Sequence, residues 1–183
     1  MLLFSEPLKI LGFKSIYNNY SLVFEIPTEK KGSVFMKINT GCKNNQRFIV
    51  ILNPRKFDNP LDSKVYFELD DPLNNPEYQV SYIKPKIEQC IKGFSCGIEN
   101  PVTLSQVSFC KRKFAFTDGT TRFSWLIAVG ACSIPVECDE ESAYELFKKY
   151  GDERFSPQSL QYYVDKYNNI GSEKRWVKNT QER

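Results

Sequence analysis

From residue 8 to about residue 130 the chain places its apolar and aromatic side chains with the two-residue rhythm of β-strands, and beyond that point the rhythm lengthens to 3.6. A period of two sends alternate side chains to opposite faces of a sheet, so a chain that keeps it this long buries itself only as a sheet with a cover. The strand candidates are Leu8 to Ile16, Tyr20 to Ile26, Ser33 to Asn39, Arg47 to Leu52, Lys64 to Leu69 and Tyr78 to Ile83. Asn18-Asn19 and Lys31-Gly32 supply short connections, so the first three strands read as a meander. NPRKFDNP at 53–60 and DDPLNNP at 70–76 carry proline at both shoulders and read as ordered loops. Residues 83–94 leave room for a helical turn or more.

The last third carries the cover. Asp139 is placed to cap a helix running through Tyr150, with Glu140 and Glu141 in its first turn, Lys148 and Lys149 in its last, and Gly151 at the stop. Ala143, Leu146, Phe147 and Tyr150 form its apolar stripe. A second helix is expected from Ser156, with Pro157 at its first position, to Gly171, turning Leu160, Tyr163, Val164 and Tyr167 inward. The expectation is a single α+β domain over residues 1–171, mainly an antiparallel sheet of about six to eight strands with two C-terminal helices packed on it. A polar tail, 172–183, follows, in which Trp176 is the exception.

The strongest local turn signal is TDGT at 117–120. Asp118-Gly119 suits the two central positions of a type I′ turn, which predicts a hairpin over 105–129 that pairs Phe114 with Phe123 and Arg112 with Trp125. That register puts Cys110, Phe114, Phe116, Phe123, Trp125, Ile127 and Val129 on one face and Lys111, Lys113, Arg122 and Ser124 on the other.

Histidine is absent, which removes the commonest general base and metal ligand and excludes Ser-His-Asp and Cys-His catalysis. Neither GxxxxGK[ST] nor GxGxxG occurs, and no cofactor is expected. The 25 basic and 22 acidic side chains nearly balance, so any attraction to a polyanion must be local. The start, MLLFSEPLKI, lacks a basic segment, and the apolar stretch from Trp125 to Val136 is shorter than the roughly 20 residues of a membrane span. A cytoplasmic protein with no membrane partner is expected.

Six cysteines stand at 42, 90, 96, 110, 132 and 138, two pairs of them with the same five-residue gap, CIKGFSC at 90–96 and CSIPVEC at 132–138. Structural zinc prefers gaps of two to four residues, and along a regular strand Cys132 and Cys138 would be about 20 Å apart. Buried hydrophobes are the leading reading, with zinc at Cys90, Cys96, Cys132 and Cys138, or disulfides, as alternatives. Glu137, Asp139, Glu140 and Glu141 surround Cys138 and disfavour a reactive thiolate there.

Three functions compete. The leading one is a non-enzymatic interaction or inhibitor protein, of the phage or mobile-element accessory type, that binds a host or partner protein stoichiometrically. Its anchors would be surface aromatics such as Tyr17, Tyr20, Tyr78, Tyr82, Tyr162 and Trp176. The second is binding of RNA or single-stranded DNA by the basic hairpin, with Lys111, Lys113 and Arg122 joined by Lys174, Arg175, Trp176 and Lys178 of the tail. The third is a metal-dependent nuclease using Glu68, Asp70 and Asp71, against which a proline-rich turn and a charged edge strand give the plainer account.

Overall fold

The structure, a computed structural model, describes residues 7–16, 19–41, 43–57, 84–110 and 113–167. In chain order these hold β1 (Lys9–Ile16), β2 (Asn19–Thr28), β3 (Gly32–Asn39), β4 (Phe48–Leu52), α1 (Lys84–Ser95), β5 (Val102–Thr103), β6 (Ser105–Cys110) and β7 (Lys113–Asp118). After these come α2 (Thr120–Ala128), β8 (Ile134–Cys138), α3 (Glu140–Tyr150), β9 (Gln158–Ser159) and α4 (160–167). The mixed α+β class expected from the period change is found, with the strands divided between two sheets and four helices among the described residues.

The first sheet is the expected meander, β1-β2-β3, joined at the far side of β3 by β5. Leu22, Phe24 and Ile26 alternate along β2, and Val34, Met36 and Ile38 along β3; all six are buried, because the two-residue period turns each set onto the core face. The second sheet runs β7-β6-β8-β4-β9. Its β4, FIVIL, is buried at every position, and this explains its unbroken apolar run: a strand covered on both faces has no side left for polar residues. Most ladders are antiparallel; β3 with β5 and β6 with β8 are parallel.

One stretch ties the sheets together. Residues 102–110 begin in the first sheet as β5, pass through Leu104, and continue in the second as β6. Leu104 is 2% exposed and its N–H donates to the Lys37 carbonyl at 2.9 Å. Burying that side chain is worth about 2 kcal/mol, concentrated at the joint between the sheets.

The α3 helix follows local chemistry. Asp139 accepts a 2.7 Å hydrogen bond from the Ser142 N–H, which satisfies one of the donors that a helix start leaves unpaired. Ala143 and Leu146 are fully buried against β4 and β6, while Phe147 and Tyr150 pack at the rim of the core.

Three expectations are corrected. First, the 105–129 segment is not one hairpin. β6 pairs with β7, Cys110 opposite Lys113, and residues 120–128 form α2. Phe123 and Leu126 drive this outcome: they are three apart, which fits one helical face, and both are buried there. Phe114 and Phe123 still meet, as rings 5.8 Å apart rather than as strand partners, and Trp125 stacks on Phe94 at 4.3 Å.

Second, the last helix does not start at Ser156. Gln158 and Ser159 pair with Ile49 and Phe48, and helix follows from residue 160. Leu160 and Tyr163 are buried as expected, and Tyr167 packs against the core. Third, the helical turn expected over 83–94 is a full helix, α1, and the pattern assigned to the hairpin also contains α2. Strand candidates 64–69 and 78–83, Glu68, Asp70 and Asp71 lie outside the described residues, as do Cys42 and the tail 172–183.

Candidate functional site

A cleft of about 720 Å³ opens where α1, the β3–β5 edge and the start of α2 meet. Each wall has a local origin. Gly93 lets α1 approach β5, since a Cβ there would stand 2.9 Å from Val102 Cγ1. Lys37 reaches the cleft from β3, while Lys86, Gln89 and Cys90 come from α1. The third wall is Thr117 to Arg122, the end of β7 and the first turn of α2.

Gly119 makes that third wall. Its φ of +89° is the left-handed conformation that glycine adopts without penalty, and it turns the strand into the helix within one residue. A Cβ at this position would also lie 2.6 Å from Ser105 Oγ and 2.8 Å from Arg122 Nη2. Ser105, fully buried, donates to the Gly119 carbonyl at 2.9 Å and fixes the turn. The first intrahelical bond of α2 is Phe123 N–H to Gly119 carbonyl, so the amides of Thr120, Thr121 and Arg122 precede the helical ladder. Those amides and the positive end of the helix dipole face an anion naturally.

Arg122 folds back across Gly119. Its Nη2 donates to Asp118 Oδ2 at 2.7 Å and to the Leu104 carbonyl at 3.4 Å, and its Nε is buried with no hydrogen-bond partner. Leaving a guanidinium N–H buried and unsatisfied costs about 1–3 kcal/mol, so the site holds an unused donor. With Lys37 and Lys86 in the same cleft, the arrangement suits a ligand carrying negative oxygens.

A second polar group crosses the second sheet. Arg47 Nε donates to Glu137 Oε1 at 2.5 Å, Gln106 Nε2 to Glu137 Oε2 at 3.2 Å, and Arg47 Nη1 to the Asn39 carbonyl at 2.8 Å. The Glu137 side chain is only 12% exposed and fully partnered, which marks a structural tie between β4, β8, β6 and the end of β3.

The cysteine pairs do not come together as ligands. Cys90 is buried on α1, Cys96 is exposed just after it, Cys132 precedes β8 and Cys138 is buried at its end. Among the described residues no group of three or more His, Cys, Asp or Glu side chains is placed to hold a metal ion. Burial pushes the Cys90 thiol up to about 11, slightly eased by Arg122, and pushes Cys138 up to about 12, with Asp139 and Glu137 adding to the rise. Both are inert thiols near neutral pH.

Of the described residues expected to bind nucleic acid or a partner, Arg122 lines the cleft and Lys113 does not. Lys113 opens β7, five residues from Asp118 and therefore about 16 Å along the strand, so it does not share a hairpin face with Arg122. Lys111, Lys174, Arg175, Trp176 and Lys178 lie outside the described residues. Lys37 and Lys86 were missed, since no short motif links positions 49 residues apart; the one local signal was the glycine of TDGT. Among the described residues, no helix is long and apolar enough to cross a membrane.

Comparison with known proteins bears on this fold directly. No curated protein matches the sequence. The chain is similar to a solved structure, the gold(I) cyanide derivative of an oncogenic suppression activity protein described as a plasmid fertility inhibition factor. Sequence identity is 26% and the TM-score is 0.66, over 90% of this chain and 85% of that one. A family model, PFIN, plasmid fertility inhibition factor, matches residues 49–151, more than half of the 183. That span takes in all but the first residue of β4, and α1, α2 and α3 together with all of the cleft except Lys37, and it places this chain in the plasmid fertility inhibition factor family.

Proposed function

We propose that this chain lowers the transfer of a plasmid by stoichiometric binding to a component of the transfer process, and that the cleft holds a phosphate-bearing group of that target. The observation that carries the reading is that Arg122, Lys37 and Lys86 line one cleft together with the first turn of α2, with Arg122 Nε buried and unpartnered. A phosphate accepts several charge-assisted hydrogen bonds at once from helix amides and a guanidinium, and its charge is favoured by the helix dipole. The phosphate belongs to a nucleotide or to the backbone of a single strand, and the two sources share this recognition chemistry.

The test measures plasmid transfer from donor cells carrying the chain or its Arg122→Ala and Lys37→Ala/Lys86→Ala variants, alongside binding of a single-stranded oligonucleotide and of free nucleotide by the purified proteins. Transfer is expected to recover in the variants, and binding to fall, steeply with salt for the oligonucleotide. Variants that suppress transfer as fully as the parent chain overturn the cleft's part in inhibition.

A protein partner is the second reading. It is favoured by Tyr20 and Tyr162, which are 49% and 42% exposed, because large exposed aromatics anchor protein interfaces. Loss of inhibition in Tyr20→Ser or Tyr162→Ser, with phosphate binding intact, would move the inhibitory surface to these rings.

A further inference from the structure

The two faces of α3 differ. Ser142, Ala143 and Leu146 are buried, whereas Glu140, Glu141, Tyr144, Glu145, Lys148 and Lys149 are exposed. Tyr144 is 59% exposed, more than Tyr20 or Tyr162, and its ring leans on Phe48 with centroids 6.4 Å apart. The charges around it are sorted along the axis, acids toward the start and lysines in the last turn. Among the described residues none of these five charges makes an ion pair, and Lys149 instead leans over the rings of Tyr150 and Phe109. Compensation of the helix dipole accounts for acids at one end and lysines at the other. It does not account for a large exposed aromatic ring held between them.

We infer that this face of α3 docks a second copy of the chain, the two helices running antiparallel about a two-fold axis beside Tyr144. Glu141 and Lys148 are separated by almost two full helical turns, so they lie on one line along the helix surface, about 10 Å apart. Reversing a copy of that line against itself sets Glu141 of each helix on Lys148 of the other, in two pairs related by the symmetry. Tyr144 stands between the pairs and meets its own counterpart close to the axis, ring against ring. A partner of uniform charge would suit one end of α3 and be repelled by the other, whereas a reversed copy matches both ends at once. One helix face is small beside a standard interface, and the two Glu145 carboxylates approach each other across the axis, so the dimer is weak and forms with rising concentration. None of these side chains lines the cleft, which makes the surface independent of the anion reading.

The experiment is analytical ultracentrifugation of the full chain from about 10 μM to about 1 mM, with the variants Glu141→Lys, Lys148→Glu and Tyr144→Ser and a melting curve for each. The parent is expected to shift from monomer to dimer across that range, and less so at high salt. Glu141→Lys and Lys148→Glu each turn both pairs into like charges and should weaken self-association at least about tenfold, with melting curves close to the parent's because both positions are exposed. An equimolar mixture of these two variants restores both pairs and should form a one-to-one dimer at least as tight as the parent's. Tyr144→Ser should weaken the dimer with every charge left in place. A parent that stays monomeric throughout, charge variants that dimerise as the parent does, a mixture that fails to associate, or a dimer indifferent to Tyr144→Ser overturns the inference.

Discussion

Ser133 Oγ donates to Asp152 Oδ2 at 2.6 Å with both side chains buried, and Arg154 donates to each of them from the solvent side. This triangle clamps the segment after α3 onto the start of β8, beside the bridge that Leu52 makes with Gly151.

Burial alone would raise the Asp152 carboxyl, but hydrogen bonds from Arg154 and Ser133 outweigh it and hold the group below its ordinary 3.8. A carboxyl depressed in the folded state adds stability that is present above the unfolded value and is lost as pH falls through the folded one. Asp152→Asn is therefore expected to cost about 2 kcal/mol at neutral pH, with the gap to the parent chain closing only below pH 3.8. Denaturant unfolding at a series of pH values measures it; a gap that closes near pH 6 instead would assign the effect to another group.

Gly119→Ala combines a left-handed φ of +89° with a Cβ 2.6 Å from Ser105 Oγ. A destabilisation of about 2–4 kcal/mol is expected, together with loss of anion binding at temperatures where the variant is still folded. Thermal melts and phosphate titration report the two separately.

Phe123 is 1% exposed and lies among Phe57, Phe114 and Phe116, with ring centroids 5.1 to 5.8 Å away. Phe123→Ala should cost about 3–5 kcal/mol in urea unfolding, since the rings around the void belong to several elements and cannot all close on it. Phe123→Leu should recover more than half of the loss.

Brief alkylation at pH 8, followed by peptide mapping, should modify Cys96 and spare Cys90 and Cys138. Cys96 is exposed, whereas the other two are buried with thiols raised to about 11 and about 12. Modification of Cys90 at the rate of Cys96 would mean that the cleft floor opens readily.

The parts legible in the sequence were those decided within a few residues. Asp139, the first-turn acids, the last-turn lysines and Gly151 specify α3 without reference to anything distant, and the structure places each in that role. The meander was legible for the same reason: its connections are short and its alternation is regular. TDGT misled because positive φ serves a hairpin turn and a strand-to-helix junction equally well. What selects between them is the burial of Phe123 and Leu126 and the parallel pairing of β6 with β8, and both depend on partners far along the chain. The cleft was illegible for a similar reason, since Lys37, Lys86 and Arg122 come to line one cleft only through the packing of β3, α1 and α2.

Because Leu104 hangs from the Lys37 carbonyl while its own carbonyl receives Arg122, a single residue of the sheet-switching stretch touches the backbone of one cationic wall and the side chain of another. A shortened chain beginning at residue 49 would keep the loop and the helix but lose the strand that supplies Lys37. Its cleft would be left with one side open and its joint without an anchor.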